Sequence, residues 1–323
     1  MVNLDFERPI IELETKISEL RTFAREKALD LQNEIARLEQ RLQELTENIY
    51  QNLTPWQKVL VARHPGRPNV LAYIQHLFTD FLELRGDRLY GDDPALIGGL
   101  ARFNGRPVTV LGNLKGKDTR ENLERNFGMA HPEGYRKARR LMLQAEKFKR
   151  PVITLIDTPG AYCGVGAEER GQAVAIARSI QTMLGLRTPV VAVITGEGGS
   201  GGALALGAGD RLLIQEHAVF SVISPEAYAT ILWNDPARCQ EAAQSMKITA
   251  ADLAALGIVD EVIPEPPGGA HRDPAMAARY LKEALARHLD ELAGLQEEEL
   301  LRRRLAKFRK IDNAYLRELN TNN

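Results

Sequence analysis

Residues 190–207 read Val-Val-Ala-Val-Ile-Thr-Gly-Glu-Gly-Gly-Ser-Gly-Gly-Ala-Leu-Ala-Leu-Gly. A buried apolar strand runs straight into five glycines within seven residues, and a short apolar helix follows. Glycine at that density leaves bare backbone N–H groups at a helix N-terminus, with no side chains to block approach. Such a turn binds negative charge, either a standing anion or an oxyanion that develops during a reaction.

The surrounding chain alternates strand and helix. A helix over 132–149 leads to a strand over 151–157, and a helix over 166–184 leads to a strand over 189–195. Strands near 211–215 and 218–223 follow the short helix. Thr249 opens a helix closed by Gly257, and 258–263 is the last strand. Alternation of this kind gives an α/β protein with parallel strands joined by right-handed crossovers. Ahead of it, 96–110 reads as a β-hairpin turning at Asn104-Gly105. Ser224-Pro225 and Asp235-Pro236 each read as an N-cap followed by proline at the first helical position.

The two ends of the chain are helical. Ile10, Leu13, Ile17 and Leu20 form one stripe, and Leu31, Ile35, Leu38, Leu42, Leu45 and Ile49 form a heptad stripe. The stripes fall out of register around 25–27, which predicts an antiparallel hairpin. His64-Pro-Gly-Arg-Pro68 is a break. The linker Pro264-Glu-Pro-Pro-Gly-Gly269 precedes a long helix from about Pro274. The tail carries Glu297-Glu-Glu299 and then Arg302-Arg-Arg304, the pattern of a solvated helix laced with near-neighbour ion pairs. This divides the chain into an N-terminal helical hairpin (1–52), a main domain (53–295) and a charged helical tail (296–323).

Composition narrows the function. The 323 residues suffice for one large α/β domain with appendages. A net charge of −1 offers no global basic field for nucleic acid or anionic membrane. Cys163 and Cys239 are the only cysteines, too few for a disulfide framework or a four-ligand zinc site. The N-terminus lacks the pattern of a signal peptide, and the apolar runs are strand-length. These features predict a cytoplasmic protein with no membrane span and no metal on this chain.

The glycine turn fits three generic patterns. Gly196-x-Gly198-x-x-Gly201 fits a dinucleotide fingerprint, with Glu216 near the position of the expected acid, although Gly207 and Gly209 cut the following helix short. No lysine follows the glycines, as a P-loop would require. Gly198-x-Ser200-x-Gly202 fits the nucleophile elbow of a serine hydrolase, and Asp260 and His271 follow in the right order. Ser200 is equally well placed as a helix N-cap. The third reading is an oxyanion hole with no nucleophile. A second turn supports it: the strand over 151–157 ends in Asp157-Thr-Pro-Gly-Ala-Tyr-Cys-Gly-Val-Gly166, so two consecutive strand ends finish in backbone-exposing turns at one end of a sheet.

Longer strings carry a resemblance. Asn126-Phe-Gly-Met-Ala-His-Pro-Glu-Gly-Tyr-Arg-Lys137, Ile156-Asp-Thr-Pro-Gly-Ala-Tyr162, Gly164-Val-Gly-Ala-Glu-Glu-Arg-Gly171, Gly196-Glu-Gly-Gly-Ser-Gly-Gly-Ala203 and Ser221-Val-Ile-Ser-Pro-Glu226 resemble the carboxyltransferase alpha subunits of bacterial-type acetyl-CoA carboxylase. The likeness runs from Leu4 to Arg272, with Cys163 where the family has proline. It implies a crotonase-like core of repeated ββα units and a beta subunit with a zinc ribbon, joined in an alpha2beta2 core. It further implies a biotin carboxyl carrier protein and biotin carboxylase as partners. The implied reaction moves the carboxyl group of carboxybiotin, on the separate carrier, to acetyl-CoA and gives malonyl-CoA for fatty acid biosynthesis.

The resemblance assigns the biotin-side oxyanion hole to this chain, placed here at the N–H groups of Gly201 and Gly202. Gly198 and Gly199 shape the turn, and Gly160, Ala161 and Tyr162 contribute substrate contacts. Glu197, Glu168 and Glu169 are candidates for a general base by position only; the biotin nitrogen itself is the favoured proton acceptor. Lys115, Lys117, Arg136, Lys137, Arg139 and Arg140 form a basic cluster suited to a CoA phosphate, an acidic partner or plain solvation. The competing readings are a serine hydrolase using Ser200 and a crotonase-like scaffold without chemistry.

Overall fold

The computed structural model describes residues 4–321. Helices α1 (Arg8–Lys27) and α2 (Gln32–Gln51) form the expected hairpin, turning where Ala28 takes a left-handed φ of 51°. Ile10 packs with Ile49 and Tyr50 at the open end, while Arg21 pairs with Glu39 nearer the turn, so the helices run antiparallel. Helices α3 (Pro55–Ala62) and α4 (Val70–Leu77) flank the His64–Pro68 break and lead into strand β1 (Thr79–Glu83). Strands β2 (Leu96–Phe103) and β3 (Arg106–Asn113) are the predicted hairpin. Asn104 and Gly105 both have positive φ, as a two-residue hairpin turn requires.

The centre of the chain then alternates as expected. After α5 (Thr119–Glu124) and α6 (Pro132–Lys147) come β4 (Val152–Thr158), α7 (Val165–Glu169), α8 (Gln172–Gly185), β5 (Val190–Gly199) and α9 (Ser200–Gly207). Strands β6 (Arg211–Gln215) and β7 (Val219–Ser221) precede α10 (Pro225–Trp233), α11 (Cys239–Ser245) and α12 (Ala250–Ala255). Strand β8 (Glu261–Ile263), α13 (Pro274–Ala293) and α14 (Glu297–Thr321) complete the chain. The main sheet runs β1-β2-β3-β4-β5-β6-β8, antiparallel through β3 and parallel from β3 to β8.

A second, shorter ladder lies beyond the main one. Thr158 pairs with Gly198, and residues 197–199 pair with 219–221 of β7. Each unit is thus a long strand, a short step and a helix: β4 with Thr158 before α7 and α8, β5 with its own last residues before α9, β6 with β7 before α10. This is the repeated ββα frame. Alternation along β5 divides the core between its two faces. Val190, Ala192 and Ile194 pack with residues of α6, α8 and α9, while Val191 and Val193 pack with residues of α4 and α13.

Four expectations need correction. Strand β5 does not stop at 195 but continues to Gly199, because glycines without Cβ atoms can enter the crowded short ladder. The helix expected over 166–184 is two helices, broken at Gly171, whose φ is 78°. The last strand begins at Glu261; residues 258–260 complete the turn after Gly257. The tail is not a solvated rod. Arg302 and Arg303 do pair with Glu299 on the surface, but Arg304 is 1% exposed. Its guanidinium holds Asp210 through two bonds of 2.8 and 2.7 Å and donates to the carbonyls of Met183, Leu186 and Thr188.

Arg304 therefore ties α14 to the end of α8 and to the start of β6. Arg304→Ala strands the buried Asp210 carboxylate and three carbonyls, and is expected to cost about 3–5 kcal/mol in urea unfolding. Arg302→Ala should leave the midpoint unchanged. An Arg304→Ala midpoint equal to the parent's would show that the tail does not dock through this clamp.

Candidate active site

The two glycine turns meet, backbone against backbone. A Cβ built on Gly199 would stand 2.0 Å from the Pro159 oxygen. One on Gly202 would stand 2.6 Å from the Gly160 carbonyl carbon and 2.7 Å from the Ala161 nitrogen. No side chain fits at either position. Thr158 braces the partner turn from within, donating its hydroxyl to Gly160 O at 2.6 Å and accepting from Gly160 N at 3.2 Å. Gly198 is the middle of the short ladder, under the Phe220 ring. Gly201 differs: a Cβ there would meet only Ile176, at an ordinary 3.6 Å.

Helix α9 starts one residue earlier than an N-cap at Ser200 would place it. Gly199 is the N-cap, and Ser200 is the first helical residue, with φ of 50°. The Ser200 side chain makes no capping bond. The cap expected there is absent because the strand persists to Gly199, and the chain reverses at Ser200 itself. Among the described residues no acceptor outside the helix meets the N–H of Ser200, Gly201 or Gly202. These first-turn amides have no intrahelical acceptor, so their partial positive charge is available.

Tyr162 closes the other turn. Its N–H donates to Ala130 O at 3.1 Å, its own carbonyl accepts from Gln172 at 2.7 Å, and its ring meets His131 at a tilt, with centroids 4.1 Å apart. Cys163 is exposed.

Beneath the turns lies a network of charges that the sequence did not reveal. Asp157 is the penultimate residue of β4, and Glu197 lies in the parallel neighbour β5. Lys115 bridges them, at 2.7 Å from Asp157 and 2.8 Å from Glu197. Arg63 holds the other Glu197 oxygen at 2.7 Å and reaches Glu226 at the start of α10. Asp157 also accepts the Glu197 N–H at 2.9 Å, and a Cβ on Gly196 would stand 2.5 Å from that same carboxylate oxygen. Burial pushes the Glu197 carboxyl up, but the charges of Lys115 and Arg63 outweigh it and hold the group below the usual range. Burial likewise opposes the Lys115 charge, and Asp157 and Glu197 raise it. A cavity of about 500 Å³ opens beside this network, lined by Arg63, His64, Lys115, Lys117, Phe127 and Pro159 among others. Sequence reasoning took 64–68 as a break alone. The available signal was two arginines, Arg63 just ahead of the break and Arg67 within it, beside the apolar run 59–62.

The remaining candidates separate. Asp260 accepts the Leu212 N–H and pairs with Lys307 at the start of β6, the opposite end of the sheet from Ser200. His271 lies 3.3 Å from Glu7 and 3.5 Å from Tyr50 on the N-terminal hairpin. No triad assembles on Ser200. Glu216 accepts the Glu265 N–H, so it is not presented to a ribose. The basic cluster also splits. Lys115 and Lys117 face the cavity, Lys137 is buried against Asp92, and Arg136, Arg139 and Arg140 line a separate cleft with Glu169. Glu7, His64 and His271 could together offer three ligand atoms to a cation, but Arg272 stands 3.5 Å from the same Glu7 oxygen.

The profile of the family described as acetyl co-enzyme A carboxylase carboxyltransferase-like matches residues 3–312. The chain belongs to this family. It is 60% identical over 308 residues to the acetyl-coenzyme A carboxylase carboxyl transferase subunit alpha of Heliobacterium modesticaldum, covering 95% of this chain and 92% of that relative. It is 56% identical over 308 residues to the subunit of the same name from Bacillus subtilis, covering 95% of each. Among solved structures, a Pseudomonas malonate decarboxylase hetero-tetramer in complex with coenzyme A superposes with a TM-score of 0.61 at 20% identity, over 78% of this chain and 98% of that one. Transcarboxylase 12S superposes with 0.56 at 23%, over 70% of this chain and 44% of that one. At these identities the likeness is one of fold, the crotonase-like fold of carboxyltransferases. No helix among the described residues is long and apolar enough to cross a membrane.

The carboxyltransferase-family core has a built-in acid sensitivity. Burial pushes the Glu7 carboxyl up, but bonds from His271 and Tyr50 hold it down at about 2, against an ordinary 4.5. Buried Glu265 is held at about 2 by Arg67 in the same way. Both folded-state values are depressed, so their stabilisation is complete above about pH 4.5 and is lost as pH falls toward 2. Melting temperature should therefore drop through that window, and Glu265→Gln should shrink the drop. A Glu265→Gln profile parallel to the parent's would remove Arg67–Glu265 from the cause.

Proposed function

We propose that in this acetyl-CoA carboxylase carboxyltransferase alpha subunit Gly201 and Gly202 are the oxyanion donors for the biotin ureido oxygen, and that the chain works in the cytoplasm. The observation that carries the site assignment is the pair of free first-turn amides on a turn fixed by its contact with residues 159–161. Their chemistry suits an anion: the amides donate, the α9 dipole adds to them, and the nearest strand-end carboxylate, Glu197, is occupied by Lys115 and Arg63. Carboxybiotin, on a separate carrier protein, would supply the carboxyl group that converts acetyl-CoA to malonyl-CoA.

Each residue then has a distinct part. Gly201 and Gly202 stabilise negative charge through N–H groups that need no reorganisation, worth about 3–4 kcal/mol of barrier per donor. Gly198 and Gly199 carry the short ladder that aims the turn, while Gly160, Ala161 and Tyr162 form the facing wall. Glu197 does not act as a base; locked between two cations, it fixes the strand ends. The chain itself holds no metal in this reading.

The site is half of a whole. Val165, Leu204, Val222, Ile231 and Leu232 are exposed apolar side chains on the elements that adjoin the turns: α7, α9, the end of β7 and α10. Covering them suits a zinc-ribbon beta subunit in an alpha2beta2 core, to which the carrier protein and biotin carboxylase would deliver the carboxyl group.

The purified chain is expected to show no malonyl-CoA decarboxylation with biotin, and to gain it on mixing with a beta-type subunit. Turnover by the chain alone would sink this reading. Ser200→Ala, in the assembled enzyme, should retain most of the rate, since the hydroxyl makes no capping bond. A folded but dead Ser200→Ala would return the serine hydrolase to consideration.

A further inference from the structure

A second cleft, of about 740 Å³, opens between α6, α8 and the loop over 85–91. It shares no lining residue with the cavity beside Lys115. Six arginines line it: Arg88, Arg136, Arg139, Arg140, Arg170 and Arg178. Two carboxylates, Asp87 and Glu169, line the cleft with them, and a third, Glu133, reaches Arg136 and Arg170 from α6.

The arginines fall into two groups. Arg136 pairs with Asp87 at 2.7 Å, and Arg170 pairs with Glu133 at 2.9 Å, so these two build the wall. Among the described residues, Arg88, Arg139, Arg140 and Arg178 have no carboxylate within ion-pair distance. Arg140 is oriented by the carbonyls of Leu84, Arg85 and Gly86, and Arg139 by the Thr182 hydroxyl at 3.1 Å. Both are half-buried. Burial and the neighbouring Arg88 charge oppose the charge on Arg140, and the more distant Asp87 and Asp92 offset them only in part. The fully buried arginines elsewhere, Arg67 and Arg304, each hold a carboxylate. Four guanidiniums without a direct ion-pair partner in one concavity focus a positive potential that an anion from outside would neutralise.

The shape and the donors indicate which anion. The volume is that of a small-molecule pocket. Planar guanidinium forks match phosphate oxygens two at a time. The α8 N-terminus opens into the same cleft at Gly171, adding amide dipoles of the right sign. Exposed Leu89, Leu143 and Val174 supply an apolar surface for the rest of the ligand. We propose that the α6–α8 cleft binds a diphosphate-bearing small molecule of nucleotide size. Such a group is carried both by a coenzyme A head and by a free nucleotide. The proposal stands independently of the carboxyltransferase reading.

The test is calorimetric titration of the full chain with coenzyme A, ADP and inorganic pyrophosphate, repeated at raised salt. Saturable binding of ADP or coenzyme A is expected, weakening with salt. In the double variant Arg139→Gln, Arg178→Gln the affinity should fall by about tenfold or more, with an unchanged melting temperature. The control Arg302→Gln, Arg303→Gln, which removes two surface charges from α14, should bind as the parent does. Coenzyme A binding well above ADP would identify the coenzyme head as the source, and equal binding would identify a free nucleotide. The proposal is overturned if no probe saturates, or if the double variant binds each probe as the parent does. It is also overturned if the double variant weakens only the association with a beta-type subunit, since the cleft would then meet an acidic protein surface.

Discussion

The contact on which this structure turns is between two stretches of bare backbone. Residues 159–161 and 199–202 approach so closely that a methyl group at Gly199 or Gly202 would overlap main-chain atoms. Nothing but glycine allows parallel strand ends to meet there. Because the two turns lock each other, the first-turn amides of α9 keep a fixed direction, and fixed donors are what stabilise a developing anion cheaply. The short ladder of Thr158, Gly198 and Phe220 extends the same logic one layer down.

Charge supports what backbone contact shapes. Arg67, buried, donates to Thr195 O at 2.6 Å and to both oxygens of Glu265, and it also reaches Gln215. Strand β5 is thus held just before its glycines by a residue from the 64–68 break. Lys115 then joins Asp157 to Glu197 across β4 and β5, and Arg63 joins Glu197 to α10. Removing one member would leave the others buried and uncompensated, at a cost of about 3–5 kcal/mol. The network therefore acts as a positioning frame, and its carboxylates are not free to move protons.

Much of this frame was legible in the sequence, for identifiable reasons. Period and punctuation located the hairpin at Asn104-Gly105, the caps at Ser224 and Asp235, and the terminal helical hairpin. Local chemistry decides such features. The errors arose where long-range packing overrides local preference. Serine at a strand-to-helix junction favours an N-cap, yet Ser200 takes a positive φ because the short ladder carries the strand to Gly199. An arginine triplet in a charged tail reads as solvated, yet Arg304 meets Asp210 and three carbonyls from distant segments. The ion-pair frame was invisible for the same reason: Arg63, Lys115, Asp157 and Glu197 are far apart in sequence and share no spacing. Gly201 and Gly202 looked equivalent in sequence, and only their neighbours, Ile176 for one and residues 160–161 for the other, distinguish them.

That distinction gives the most direct measurement. Gly202→Ala places a methyl group against the 160–161 backbone, and overpacking of that kind costs about 1–3 kcal/mol and shifts the turn. A displacement of about 1 Å at the donors is enough to cost about a hundredfold in rate. Gly201→Ala places the same methyl in ordinary contact with Ile176. Carboxyl-transfer rates should be compared for the two variants, each assembled with a beta-type subunit and checked for folding by circular dichroism. The account predicts a folded Gly202→Ala enzyme slowed by about a hundredfold beside a Gly201→Ala enzyme close to the parent. Equal rates for Gly202→Ala and the parent would contradict it, because the turn-to-turn contact would then have no bearing on the chemistry.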